Sequence, residues 1–215
     1  MKSPGNWLVA FLLRRQVALA VLLGRKQRSI ELMRQVLRLD PDDAESRNAL
    51  GNLLVEGGEP AAAVEQFTLL LERWPTNAEA WFNLGFIHES RDDLVDAERC
   101  FRRALELNPK IDRAWYGLGL TLIRGGRLAE AVDALKKNVE LQPFSPYGYY
   151  QLGMTWHHLG RRDEALRIVE KLQGFEPKFA ATLKRDIEQT PPAGPAGGSR
   201  TTVHPVNKEA IATPV

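Results

Sequence analysis

The amino-acid sequence predicts an all-α chain built as a solenoid of stacked helical hairpins, and three series of residues carry that prediction. Pro41, Pro75, Pro109, Pro143 and Pro177 each lie 34 residues apart. Gly51, Gly85, Gly119 and Gly153 hold a second phase of the same period. Gly24, Gly58, Gly126 and Gly160 hold a third, with Asp92 where that series would place another Gly. A repeat of this length is one supersecondary unit that cannot bury its apolar face alone, so it must stack on its neighbours.

Each unit reads as two helices, because apolar and small residues recur at spacings of three and four: Trp81, Leu84, Gly85 and His88, then Ala97, Phe101, Ala104 and Leu105. The third-phase Gly marks the turn inside a hairpin, and the Pro marks the end of its second helix. Gly85 with Ala97, and Gly119 with Ala131, are small pairs that let two helices approach closely. Leu50, Leu84, Leu118 and Leu152 recur beside the Gly, as do Ala63, Ala97, Ala131 and Ala165.

These residues resemble the tetratricopeptide repeat (TPR) family. Residues 78–111 follow its pattern through Trp81, Leu84, Gly85, Ala97, Phe101, Ala104 and Pro109, departing at His88, where the family carries a second aromatic. Residues 44–77, 112–145 and 146–179 depart at one to three places each, among them Arg47 for the first aromatic and Asn138 or Leu172 for the last Ala. Residues 10–43 match only in their second half, through Gly24, Ile30, Met33, Val36 and Pro41. The resemblance implies a right-handed α-solenoid of five hairpins plus a C-terminal closing helix. Residues 1–43 are an apolar, basic N-terminal helix and a degenerate first repeat, and residues 44–179 are four repeats. The closing helix over 177–189 overlaps the end of the last repeat; its Phe179, Leu183 and Ile187 share one stripe, and Lys184, Arg185 and Glu188 face water. Residues 190–215, with five Pro and three Gly and no sustained period, are expected to be a disordered tail.

Charge and cysteine content exclude several classes. Residues 1–40 carry eight basic and two acidic groups, residues 41–177 sixteen and twenty-two, so the repeats are acidic and nucleic acid is not expected as a partner. The single Cys100 allows no internal disulfide, and the Cys/His pairs of a structural zinc site are missing.

Trp7 to Leu23 is apolar except at Arg14, Arg15 and Gln16. Its Leu, Val and Phe residues contribute about −3 to −6 kcal/mol to membrane insertion and the two central Arg oppose it by about 5–7, so spanning is not expected. The two Arg also split the apolar core of any signal peptide, and no small-x-small cleavage site follows. Two readings remain open. Met1 to Val9 folds back as a cover, or the equivalent helix of a second subunit covers it in a homodimer. Alternatively the helix, flanked by Lys2, Arg25, Lys26 and Arg28, lies on an anionic membrane surface or docks on a membrane-protein partner. The expected location is cytoplasmic, either free or at the inner face of a membrane.

The resemblance further implies a concave groove lined by the first helix of each repeat. The family's groove positions carry Asn48 and Asn52, then Phe82 and Phe86, then Arg113, Tyr116 and Leu120, then Tyr147, Tyr150, Met154 and His157. Such a surface suits an extended or helical peptide bearing apolar side chains, unless the closing or first helix covers part of it. Chaperone-binding members hold a C-terminal carboxylate with two Lys, two Asn and one Arg. Asn52, Asn83 and Arg113 occupy three of those five places, but Asn48 stands for the first Lys and Gly117 for the Arg. Without those cations a carboxylate clamp is not expected.

For catalysis the sequence offers little. His157 and His158 are adjacent, so on a helix they diverge by about 100° and do not ligate one metal together. Cys100 has Arg99, Arg102 and Arg103 nearby, which would lower a thiol pKa, although those Arg read better as a solvated face beside Glu98 and Glu106. The expectation is a non-enzymatic protein without cofactor or metal, acting as an interaction adaptor or assembly scaffold for a protein or peptide partner. The alternative is a peripheral membrane tether, or an assembly factor for a membrane complex, acting through residues 7–28.

Overall fold

The structure is a computed structural model describing residues 4–191, with side chains described from Trp7 onward. Lys2 and the tail expected beyond Pro191 lie outside the described residues, which form eleven α-helices and no strand. These are α1 Pro4–Leu22, α2 Lys26–Leu39, α3 Ala44–Glu56, α4 Pro60–Arg73, α5 Ala78–Ser90, α6 Leu94–Leu107, α7 Asp112–Arg124, α8 Leu128–Leu141, α9 Pro146–His158, α10 Arg162–Gln173 and α11 Pro177–Gln189. They make an all-α fold of successive helical hairpins, as the repeat register predicts. The chain divides into two units, one ending at Ile87 and one beginning at His88.

The turn inside each hairpin is built in one way. Gly24, Gly58, Gly126 and Gly160 have φ of 66, 81, 74 and 74°, and Asp92 has φ of 65° in the same place. A left-handed residue just past the helix end lets the next amide reach back five residues. Arg25 N donates to Ala20 O, Glu59 N to Leu54 O, Asp93 N to His88 O, Arg127 N to Leu122 O and Arg161 N to Trp156 O, all at 2.8–3.0 Å. The glycine series is therefore a backbone requirement.

The turn between hairpins depends on the proline series and on one long donor. Trp81 Nε1 donates to Pro75 O at 3.0 Å, and Trp115 Nε1 to Pro109 O at 2.9 Å. Arg47 takes the same post, its Nη2 donating to Pro41 O at 2.6 Å while Nη1 donates to Gln66 Oε1 at 3.2 Å. Asn138, in place of the last Ala of its repeat, donates through Nδ2 to Asp112 O at 3.0 Å. Pro177 differs from the other four: it is the first residue of α11, where Pro is tolerated because that amide has no helical acceptor.

In the first unit Ile30, Val36, Leu54, Phe67 and Leu70 are buried between α1–α4. Helix α1 contributes little, burying Ala10, Val17 and Ala20, while Arg14 bonds Asp43 and, at 3.3 Å, Ser46 Oγ of α3. It runs unbroken from Pro4, so residues 4–9 extend the helix instead of folding back over it. None of the described helices is long and apolar enough to cross a membrane. In the second unit, Tyr149, Tyr150, Ala165, Leu172, Ala180, Leu183 and Ile187 form one cluster of α9, α10 and α11.

Candidate functional site

The first helices α3, α5, α7 and α9 carry the side chains expected to meet a ligand, and burial sorts them. In the first unit Asn48, Asn52, Asn83 and Phe86 are partly exposed, whereas Phe82 is 2% exposed. Asn83 Nδ2 donates to Asn48 Oδ1 at 3.4 Å, leaving one amide with a spare acceptor and the other with spare donors.

In the second unit Arg113, Tyr147 and Met154 are partly exposed, but Tyr116, Leu120, Tyr150 and His157 are only 5, 7, 5 and 3% exposed. Helix α11 accounts for two of them. Tyr150 Oη donates to Asp186 Oδ2 at 2.7 Å, and His157 Nε2 donates to the Thr190 carbonyl at 2.7 Å. Burial, and then the Asp186 carboxylate, push the Tyr150 phenol well above its ordinary pKa. Phe179 of α11 sits edge-on to Tyr147 at 5.4 Å. Tyr116 is buried beside Gln151; burial pushes its phenol up, and the Gln151 side chain draws it partly back. Neither Tyr116 Oη nor Gln151 Nε2 completes a hydrogen bond of good geometry. Phe82, Tyr116, Leu120, Tyr150 and His157, expected on the groove surface, are instead packed inside the repeats; the other seven expected positions are partly exposed.

A cation at the clamp position is excluded sterically as well as by sequence. A Cβ on Gly117 would lie 2.5 Å from Phe101 Cζ and 2.9 Å from both Cε atoms, so the Phe101 ring occupies the space an Arg side chain would leave through.

Several titratable groups outside this surface are buried or paired with one another. Cys100 is buried, and burial pushes its thiol up to about 11, with Arg99 only partly opposing. Arg102 and Arg103 instead pair with Glu98 and Glu106, both at 2.9 Å. His88, Asp93 and Asp96 bring their ligating atoms within 4.8 Å of one another. His88 Nδ1 lies 3.0 Å from Asp93 Oδ2, and Asp96 Oδ1 accepts two bonds from Arg99, so the group is held by its own pairing. His158 is kept below its ordinary pKa by burial and by His157 beside it.

The outer side of α1 is a second exposed surface among the described residues. Trp7, Leu8, Val9, Phe11, Leu12, Leu19, Val21, Leu22 and Leu23 are all exposed, from 44% at Phe11 to 83% at Leu22. Arg15 is exposed among them.

Comparison with known proteins agrees with this architecture. One tetratricopeptide-repeat description matches residues 14–78, 48–98 and 88–146, and a second matches residues 146–171. The solved structure of MamA is 26% identical, over 80% of this chain and 94% of MamA, with a TM-score of 0.70. A second MamA structure is 26% identical over 80% and 95%, with a TM-score of 0.67. YrrB, described as a TPR protein with an unusual peptide-binding site, shares the fold at 23% identity over 79% of this chain and 88% of its own, with a TM-score of 0.65. No curated protein matches the chain. With matched segments running from residue 14 to residue 171, the chain belongs to the tetratricopeptide repeat family.

Proposed function

We propose that this chain is a non-catalytic adaptor or assembly scaffold that holds a peptide segment of a partner protein against the first helices of its repeats. The observation that carries the reading is the partition of those helices. Tyr147, Met154 and Arg113 in one unit, and the Asn48–Asn83 amides with Phe86 in the other, stay partly exposed while their neighbours are packed away. Aromatic and thioether side chains give contact area at little conformational cost, and the amides offer free donors and acceptors to a peptide backbone. Membership of a family of interaction modules supports the reading, as does the peptide-binding site described for YrrB.

The test is a peptide library screened with the full chain, followed by titration of the best binder against Tyr147→Ala with Met154→Ala, and against Asn48→Ala with Asn83→Ala. At least one pair is expected to weaken binding at least tenfold, about 1.4 kcal/mol, with unchanged far-UV circular dichroism. Full affinity in both would remove this surface from consideration. Tyr116 and Tyr150 are unsuitable for the test because their truncation excavates the core.

A second reading concerns residues 7–28: α1 attaches the chain to a membrane surface or to a membrane complex. It is favoured by the nine exposed large apolar side chains on α1 and the turn that ends it.

A further inference from the structure

Resting on the membrane reading of α1, we propose that the outer face of this helix lies flat on an anionic lipid surface, with Arg15 and Arg25 bound to headgroup phosphates. At 100° per residue, Phe11 and Leu22 project to one side of Arg15, and Leu8, Leu12 and Leu19 to the other, so the cation stands between two apolar rows. The opposite side of α1 is committed inward: Ala10, Val17 and Ala20 are buried, and Arg14 is tied to Asp43 and Ser46. A helix fastened along its length in this way meets a bilayer sideways. It does not thread through one, in keeping with the lack of a described helix able to cross.

Charge decides the occupant. Helix α1 has no acidic residue, and the next exposed cations past it are Arg25, Lys26 and Arg28, of which Lys26 donates to the Glu56 carbonyl at 3.0 Å and Arg28 is paired with Glu31. A second copy packed face to face about a two-fold axis would bring Arg15 against its own image, with no carboxylate on either helix to separate them. A protein groove would need acidic groups both at the middle of α1 and beyond its C-terminal end. An anionic bilayer supplies phosphates along the whole length. A helix at the interface sinks its apolar face about 5–10 Å, within reach of an Arg that carries its stem among Leu side chains and its guanidinium up to the headgroups.

The experiment is flotation of the full chain with vesicles of phosphatidylcholine alone, and of phosphatidylcholine with phosphatidylglycerol. The chain is expected to float with the anionic vesicles and to stay behind with the neutral ones. Arg15→Gln with Arg25→Gln should lower the anionic partition about 25-fold, roughly fivefold per cation, and raising salt should have the same effect in the wild-type chain. Leu8→Gln, Leu12→Gln and Leu19→Gln together should abolish flotation. Because these side chains are exposed, both variants should keep the wild-type thermal melt. Equal flotation with both vesicle types would overturn the headgroup assignment and leave the membrane reading standing. Flotation with neither would overturn both, and sedimentation as a dimer that the Leu variants dissolve would give this face to a second copy.

Discussion

Replacing Gly117 with Ala tests whether close helix approach, and not chain entropy, fixes a glycine in this repeat. In an unobstructed helix interior the change stabilises by about 1 kcal/mol. Here the added methyl would sit 2.5–2.9 Å from three atoms of the Phe101 ring, whose side chain is 1% exposed. Ordinary carbon contact is about 3.5–4.0 Å, so the ring must retreat by about 1 Å into a packed core. Overpacking of that kind costs about 1–3 kcal/mol, which outweighs the propensity gain and leaves a net loss of about 1 kcal/mol. For a chain of this size the melting midpoint should fall by about 2–4 °C. The decisive measurement is a double-mutant cycle with Phe101→Leu. The smaller side chain gives the methyl room, so the double variant should be more stable than the sum of the single losses by about 1 kcal/mol. A stabilised Gly117→Ala, or strict additivity, would refute the reasoning.

Two further substitutions probe the turns and caps. Asp43 caps α3 by accepting from Ser46 N at 3.2 Å; burial alone would raise its pKa, but the bonds from Ser46 and then Arg14 outweigh it and hold it below 3.8. Its stabilisation is therefore complete above the ordinary carboxylate pKa and is lost as pH falls through the lowered folded value. Asp43→Asn should flatten the acid limb of urea midpoint against pH, and Asp43→Ala should cost about 1 kcal/mol at neutral pH. Asp92 holds a left-handed turn at φ 65° and pairs with Arg124 from a mostly exposed position. Asp92→Gly relaxes the backbone as it loses the exposed pair, so it should stay within about 0.5 kcal/mol of wild type. Asp92→Ala loses the pair and keeps a Cβ in the left-handed conformation, so it should be about 1–2 kcal/mol less stable than Asp92→Gly; equal melting of the two variants would contradict the backbone argument.

What was legible in the sequence was whatever the backbone imposes at a fixed phase. The hairpin turns needed a residue tolerant of positive φ every 34 positions, and the register located Asp92 as well as the four Gly. Departures from the family pattern were legible only as departures. Arg47 looks like a lost aromatic, yet its guanidinium serves the carbonyl that an indole serves in the next two repeats, because both end in an N–H at similar reach. Surface positions were legible as to helix and phase, but burial is a property of the neighbouring element. Tyr150 and His157 occupy groove positions and are nevertheless buried, since α11 begins at Pro177 and brings Asp186 and Thr190 onto them.

The same limit applies with most consequence at Arg14 and Arg15. In a hydropathy sum they are two equal penalties at the middle of one apolar segment. On the helix they are about 100° apart, and that rotation separates their roles. Arg14 points toward α3, where Asp43 and the Ser46 hydroxyl receive it, so its charge is neutralised before any membrane is met. Arg15 points outward among leucines, so it alone bears on what can lie against α1. Removing Arg14 would loosen the attachment of α1 to its repeat; removing Arg15 would leave the repeat intact and change only the charge that α1 presents.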